Sequence, residues 1–221
     1  HPIAWNALPR HSFVNNCQFS RHFFAYALMK DIILNEILIP SLKRLYQEDY
    51  NNIKFGVSER NICARLAHHM ENMMREYDDQ HYPSQFQDYY ADVEYNRMSN
   101  GDYKFYEDSL KRPRYMVSDL LIHCRGHKRN LLAVEMKRKG NKVGVDKDKE
   151  RLSSLVTPYT HDQLPDCVHD TLLGAFIEYS TKGVNMDLFT FSEKEKKVSI
   201  STMVLPLSEL NPFLDEDYSH L

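Results

Sequence analysis

The sequence predicts an α/β fold, with helices that carry one apolar stripe packed against strands that are apolar on both faces. Apolar residues recur at helical spacing over residues 23–50 and again over 58–77. Two runs at 116–123 and 131–137 read as strands, separated by a polar segment that contains a glycine. A helical pattern at 145–157 divides these from later strand-like runs, so the chain after the second helix runs β-β-β-α-β.

In the first helical pattern, Ile32, Ile33, Glu36, Ile37, Leu42 and Leu45 form the stripe, and Pro40 marks a break or kink. Residues 1–52 therefore read as an N-terminal helical extension whose stripe packs either on the core or on a second copy of itself. Residues 51–56 read as a loop, and Ser58 as the N-cap of a helix striped by Ile62, Leu66, His69, Met70 and Met73. Glu59 falls three residues before Ile62, on the core-facing side and one turn from the helix start. A glutamate there is also favoured by the helix dipole alone.

The stretch 77–106 is rich in Tyr, Asp and Asn, with a strand predicted at 89–95 and a turn at Ser99-Asn100-Gly101-Asp102. Its aromatic residues suit either base stacking or packing against the sheet and loops. Asp92 and Glu94 share a face, either adding acidity to a site or lining an exposed edge.

The two runs at 116–123 and 131–137 form a predicted hairpin. A turn centred near His127 pairs Asp119 with Glu135, with β-carbons about 4.5–5.5 Å apart. Alternation puts Asp119, Leu121, Ala133, Glu135 and Lys137 on one face, and Leu120, Ile122, Leu132, Val134 and Met136 on the other. Two carboxylates that close make a cation site, and a lysine beside them suits a phosphate or an attacking water. The plainer alternative is a cross-strand ion pair on a solvated face. The run 131–136 is too apolar for a strand with a free face and suits one covered on both sides.

After the hairpin, the helix at 145–157 turns Leu152 and Leu155 inward and carries Lys147 and Arg151 on a basic side. Further strands are predicted at 172–179, 188–191 and 198–205, and residues 206–221, with Asp215-Glu216-Asp217, read as a peripheral tail.

The chain has 221 residues, enough for one domain with a substantial core. Its 28 basic and 31 acidic residues leave a net charge of −3, so any attraction for nucleic acid must be local. Two basic clusters qualify: Lys111-Arg112-Pro113-Arg114, and Lys137-Arg138-Lys139-Gly140-Asn141-Lys142. The plainer alternative for both is a solvated loop. Cys17, Cys63, Cys124 and Cys167 form no CxxC pair, which argues against a zinc ribbon or a disulfide framework and suits a reducing, cytoplasmic setting. His123, Cys124 and His127 lack a fourth zinc ligand nearby. No long apolar run occurs, so no membrane association is expected, and the start at His1 has no signal-peptide form. The lack of an initiator methionine suits a fragment.

Asp119 on one strand with Glu135-x-Lys137 on the next resembles the signature of the PD-(D/E)xK nuclease superfamily. The resemblance implies a restriction-endonuclease-like core over 53–205, with a central mixed β-sheet flanked by helices, and a phosphodiesterase activity that depends on Mg²⁺ or Mn²⁺. Ser118 stands where that family often has proline. By the same resemblance Asp119 and Glu135 are metal ligands, joined by Glu59 and the Met136 carbonyl, and Lys137 orients the attacking water or stabilises developing charge. Arg151, Arg138 and Lys139 are the expected substrate contacts, although Arg151 also suits a surface ion pair with a neighbour such as Asp148. Nucleic acid is the expected partner, DNA ahead of RNA. A different class of function is a catalytically inactive module on the same fold that binds nucleic acid or a protein. A homodimer through the N-terminal helices would let two sites reach both strands of a duplex.

Overall fold

The computed structural model describes residues 27–96, 103, 105–108, 110, 112–115, 117–125, 130–158 and 171–214. Its strands are β1 (Tyr89–Val93), β2 (Phe105–Glu107), β3 (Pro113–Tyr115), β4 (Leu120–Cys124), β5 (Asn130–Arg138), β6 (Leu173–Ser180), β7 (Gly183–Ser192) and β8 (Lys197–Pro206). Its helices are α1 (Ile39–Glu48), α2 (Tyr50–Lys54), α3 (Glu59–Gln80), α4 (Val145–Val156) and α5 (Leu207–Leu210). Six strands form one mixed sheet in the order β1-β4-β5-β6-β7-β8, while β2 and β3 pair separately. The β5–β6 pair is parallel and its neighbours are antiparallel. The parallel step follows from α4, which carries the chain back across the sheet between β5 and β6.

Both faces of the central strands are covered, as their continuous apolar runs require. Leu120, Ile122, Leu132, Val134 and Met136 join a core built with α1 and α3, whereas Leu121 and Ala133 pack with Leu152, Leu155 and Phe176 beneath α4. The predicted division of the two faces is therefore found. Gly174 lets α4 approach β6 closely: a Cβ there would meet Leu152 Cβ at 3.4 Å and Phe189 Cβ at 3.2 Å.

The N-terminal helix belongs to this core. Residues 27–32 are α-helical, Ile33–Leu38 are π-helical, and α1 follows. The wide π turn lies just before Pro40, whose missing N–H and ring strain an ordinary α turn. The helix thus runs on through the predicted break. Ile33, Ile37, Leu42 and Leu45 are fully buried within the chain, so the stripe is not left for a second copy, and Glu36 points outward. Ile37→Ala is expected to cost about 2–5 kcal/mol, measured as a loss of urea stability. A loss under about 0.5 kcal/mol, as for a surface site, would mean the helix is only an appendage.

The division expected at residue 52 falls inside α2, and the loop expected at 51–56 is largely this helix, closed inward by buried Ile53. Ser58 caps α3 as expected, accepting a hydrogen bond from the Asn61 amide. Glu94, at φ 51°, ends β1 and pairs with Arg60 at 2.6 Å. The turn predicted at 99–102 lies outside the described residues. The tail begins within the fold: Leu210 is buried, and Asn211 donates from Nδ2 to the Tyr46 carbonyl at 2.7 Å. No helix among the described residues is long and apolar enough to cross a membrane.

Candidate active site

The β4–β5 register pairs Leu120 with Val134, Leu121 with Ala133 and Ile122 with Leu132, which continued one step puts Asp119 opposite Glu135. The ladder slips only between Ile122 and His123, at the turn end, so the acid end keeps its register. Asp119 sits just before β4, where its Oδ2 accepts the Met136 amide at 2.7 Å.

Glu135 lies in the middle of the covered sheet and is 1% exposed. A carboxylate so placed needs a counter-charge. Arg151, one turn into the inward face of α4, provides it: Nη1 lies 2.6 Å from Glu135 Oε1 and donates to the Val117 carbonyl at 2.8 Å. The other arm, Nη2, is 3.3 Å from Asp148 Oδ1, and Lys137 Nζ is 3.2 Å from Asp148 Oδ2. Glu135, Arg151, Asp148 and Lys137 thus form a continuous chain of ion pairs, with Asp119 at its side.

Burial, reinforced by the charges of Asp119 and Asp148 and opposed by Arg151, pushes the Glu135 carboxyl up to about 8. Burial also raises Asp119, against the Met136 amide and Lys137. For Lys137, burial is outweighed by Asp148, Asp119 and Glu59, so its ammonium titrates above the usual lysine range. Lys137 is therefore a proton-bearing donor at neutral pH, suited to stabilising charge rather than to taking a proton.

The other expected participants are placed differently. Glu59 Oε1 accepts the Arg138 amide at 2.9 Å and Asn141 Nδ2 at 3.0 Å, so it ties α3 to the end of β5. Among the described residues no three Asp, Glu, His or Cys side chains converge as a metal-holding group. Arg138 is exposed, and its guanidinium lies against Gly56 and donates to the Ile53 carbonyl at 3.3 Å, closing the end of α2. Lys139 is exposed and held by its backbone amide on the Tyr179 carbonyl at 2.8 Å. Arg112 and Arg114 both turn back onto Asp108, so these two arginines brace the β2–β3 connection. Asp92 is occupied by His123 at 2.9 Å and Arg125 at 2.6 Å, which, against the cost of burial, hold its carboxyl well below the usual range.

Two residues that the sequence reading named in other roles, Asp148 as a surface partner of Arg151 and Ser118 as a departure from the family signature, also lie at the site. Asp148 is buried and bridges Lys137 to Arg151, and its only sequence signal is an acid three residues before Arg151 on one helix. Ser118 Oγ, beside Asp119, is buried with no hydrogen-bond partner among the described residues. No protein-family model matches the chain, and neither a curated protein nor a solved structure is significantly similar to it.

The raised Glu135 carboxyl has a definite pH signature. Between about pH 4.3, where an unfolded glutamate titrates, and about 8, the folded protein keeps a proton that the unfolded chain has released. Stability from Glu135 is thus complete at acid pH and lost as pH rises through this window. Glu135→Gln is expected to remove the loss, so its stability relative to wild type rises with pH by at most roughly 1.4 kcal/mol per unit. Urea unfolding from acid to mildly alkaline pH reads this, and parallel curves for the two proteins would show that Glu135 is not shifted.

Proposed function

We propose that this chain is a divalent-metal-dependent nuclease that hydrolyses nucleic-acid phosphodiester bonds on a restriction-endonuclease-like core. The supporting observation is the register that puts Asp119 and Glu135 face to face, with the protonated Lys137 two residues on and α4 above. The β-β-β-α-β order with helices over both faces of a mixed sheet agrees with it.

The donor set suits a hard cation: two carboxylates meet at one end of a hairpin, and burial makes each unfavourable as a bare anion. Asp119, Glu135 and the Met136 carbonyl would hold Mg²⁺ or Mn²⁺, and Glu59, whose Oε1 accepts from the Arg138 amide and Asn141, would join them through Oε2. When bound, the cation supplies polarisation of a phosphoryl oxygen and a lowered pKa for a bound water. Lys137 donates to that water or to the charge that develops on phosphate. Lys139 and Lys142, exposed beyond the end of β5, offer phosphate contacts. Arg138 is not among them, and DNA is the first substrate to test.

One observation favours the non-catalytic alternative: Glu135 and Lys137 already hold ion-pair partners, as side chains in a purely structural network would. Asp119→Ala separates the two. A nuclease loses at least about tenfold in Mn²⁺ affinity, since even outer-sphere partners are worth that much. A binding module shows unchanged nucleic-acid binding and no metal dependence in either protein.

A further inference from the structure

Among the described residues, Arg151 is the cation that contacts the most deeply buried acid of the site. Its guanidinium is anchored three ways, to Glu135 Oε1 at 2.6 Å, to the Val117 carbonyl at 2.8 Å and to Asp148 Oδ1 at 3.3 Å. Only the first of these involves a residue that would hold a metal. A divalent ion on Glu135 Oε1 would sit about 2.0–2.1 Å from that oxygen for Mg²⁺, so it competes with the guanidinium for the same lone pairs and is repelled by it.

We propose that Arg151 is a resident counter-ion which holds the cation's place at Glu135 and yields it when the cation binds. This rests on Asp119 and Glu135 being the metal ligands. Without metal, Arg151 makes it tolerable to keep Glu135 at 1% exposure in the sheet. With metal, the Glu135–Arg151 pair opens, while Asp148 and Val117, neither of them a metal ligand, retain the guanidinium at the site. The donors that Glu135 occupied then become free for a phosphate oxygen. Arg151 thereby orders the events, its contact with substrate following metal loading. The planar guanidinium suits this, because its five donors, fixed in one fork, let it keep two anchors while it surrenders a third.

The consequence is opposite in sign to that of structural damage. Mg²⁺ binding is measured by calorimetry at mildly alkaline pH for wild type, Arg151→Gln, Arg151→Lys and Glu135→Gln. Removing a competing cation should tighten binding in Arg151→Gln by about tenfold, within the usual range of coupling between sites, with Arg151→Lys in between and Glu135→Gln showing none. A second readout needs no variant protein to fold beyond the conservative one used for assignment. The Nε–H resonance of Arg151 in wild type, identified by its loss in Arg151→Lys, should shift as Mg²⁺ saturates the site. Equal or weaker binding in Arg151→Gln, or an arginine resonance that stays put while Mg²⁺ binds, overturns the exchange and leaves the metal site standing. Absence of Mg²⁺ binding in wild type and Arg151→Gln alike, or binding that persists in Glu135→Gln, overturns the metal site and the exchange with it.

Discussion

Lys137→Ala is expected to lower metal-dependent cleavage by about 10²–10³-fold, the scale on which a single positioned donor to a charged transition state contributes, while the fold survives. Lys137 lies at the open end of β5, and its ammonium is partly exposed. It belongs to neither apolar cluster. Its ion-pair partner among the described residues, Asp148, keeps Arg151 at 3.3 Å when the lysine is gone. With Asp148 buried but still paired to Arg151, the stability cost should fall between the roughly 1 kcal/mol of an exposed pair and the roughly 3–5 kcal/mol of stranding a buried charge. The loss should fall in kcat with KM nearly unchanged, because the charge that Lys137 meets develops in the transition state. A variant that cuts at the wild-type rate removes Lys137 from the chemistry.

Arg151→Ala carries the largest expected effect on stability. Removing one member of a buried ion pair leaves the other uncompensated, at a cost of about 3–5 kcal/mol. Here the stranded group is Glu135, whose carboxyl burial already pushes up to about 8. The cost should therefore shrink at acid pH, where Glu135 is neutral in the folded protein with or without its partner, and grow as pH rises. Restoring neutrality with Glu135→Leu on top of Arg151→Ala should recover most of the loss. Additive losses in the double variant, measured by urea unfolding, would show that the pair is not a coupled unit.

Much of the fold was legible because its signals are local. Leu120 through Ile122 and Leu131 through Met136 leave no solvent-facing residue, which announces a doubly covered strand, and the turn between them set the register of Asp119 against Glu135. Ser58 and the stripe below it announced α3 in the same way. What stayed hidden depends on partners distant in sequence. The stripe of the first helix was visible, but nothing in it says that Leu42 and Leu45 meet the core of the same chain. Arg138 and Lys139 look alike as neighbours in a basic run and both are exposed, yet only the Arg138 guanidinium reaches back 85 residues to the Ile53 carbonyl beside Gly56. The strands β2 and β3 are three residues each and mostly exposed or half-buried, too short to show alternation. Asp148 was legible as a neighbour of Arg151, but only the crossing of α4 over β5 buries it and makes it the link between Lys137 and Arg151.

The most direct test is cleavage of labelled single- and double-stranded DNA and RNA with Mg²⁺, with Mn²⁺ or with EDTA, run beside Glu135→Ala. Cutting that requires the metal, stops in EDTA and disappears in Glu135→Ala is the expected result, and the substrate that is cut identifies the class. Absence of cutting on every substrate, or cutting that survives in EDTA or in Glu135→Ala, contradicts a metal-dependent nuclease built on this hairpin.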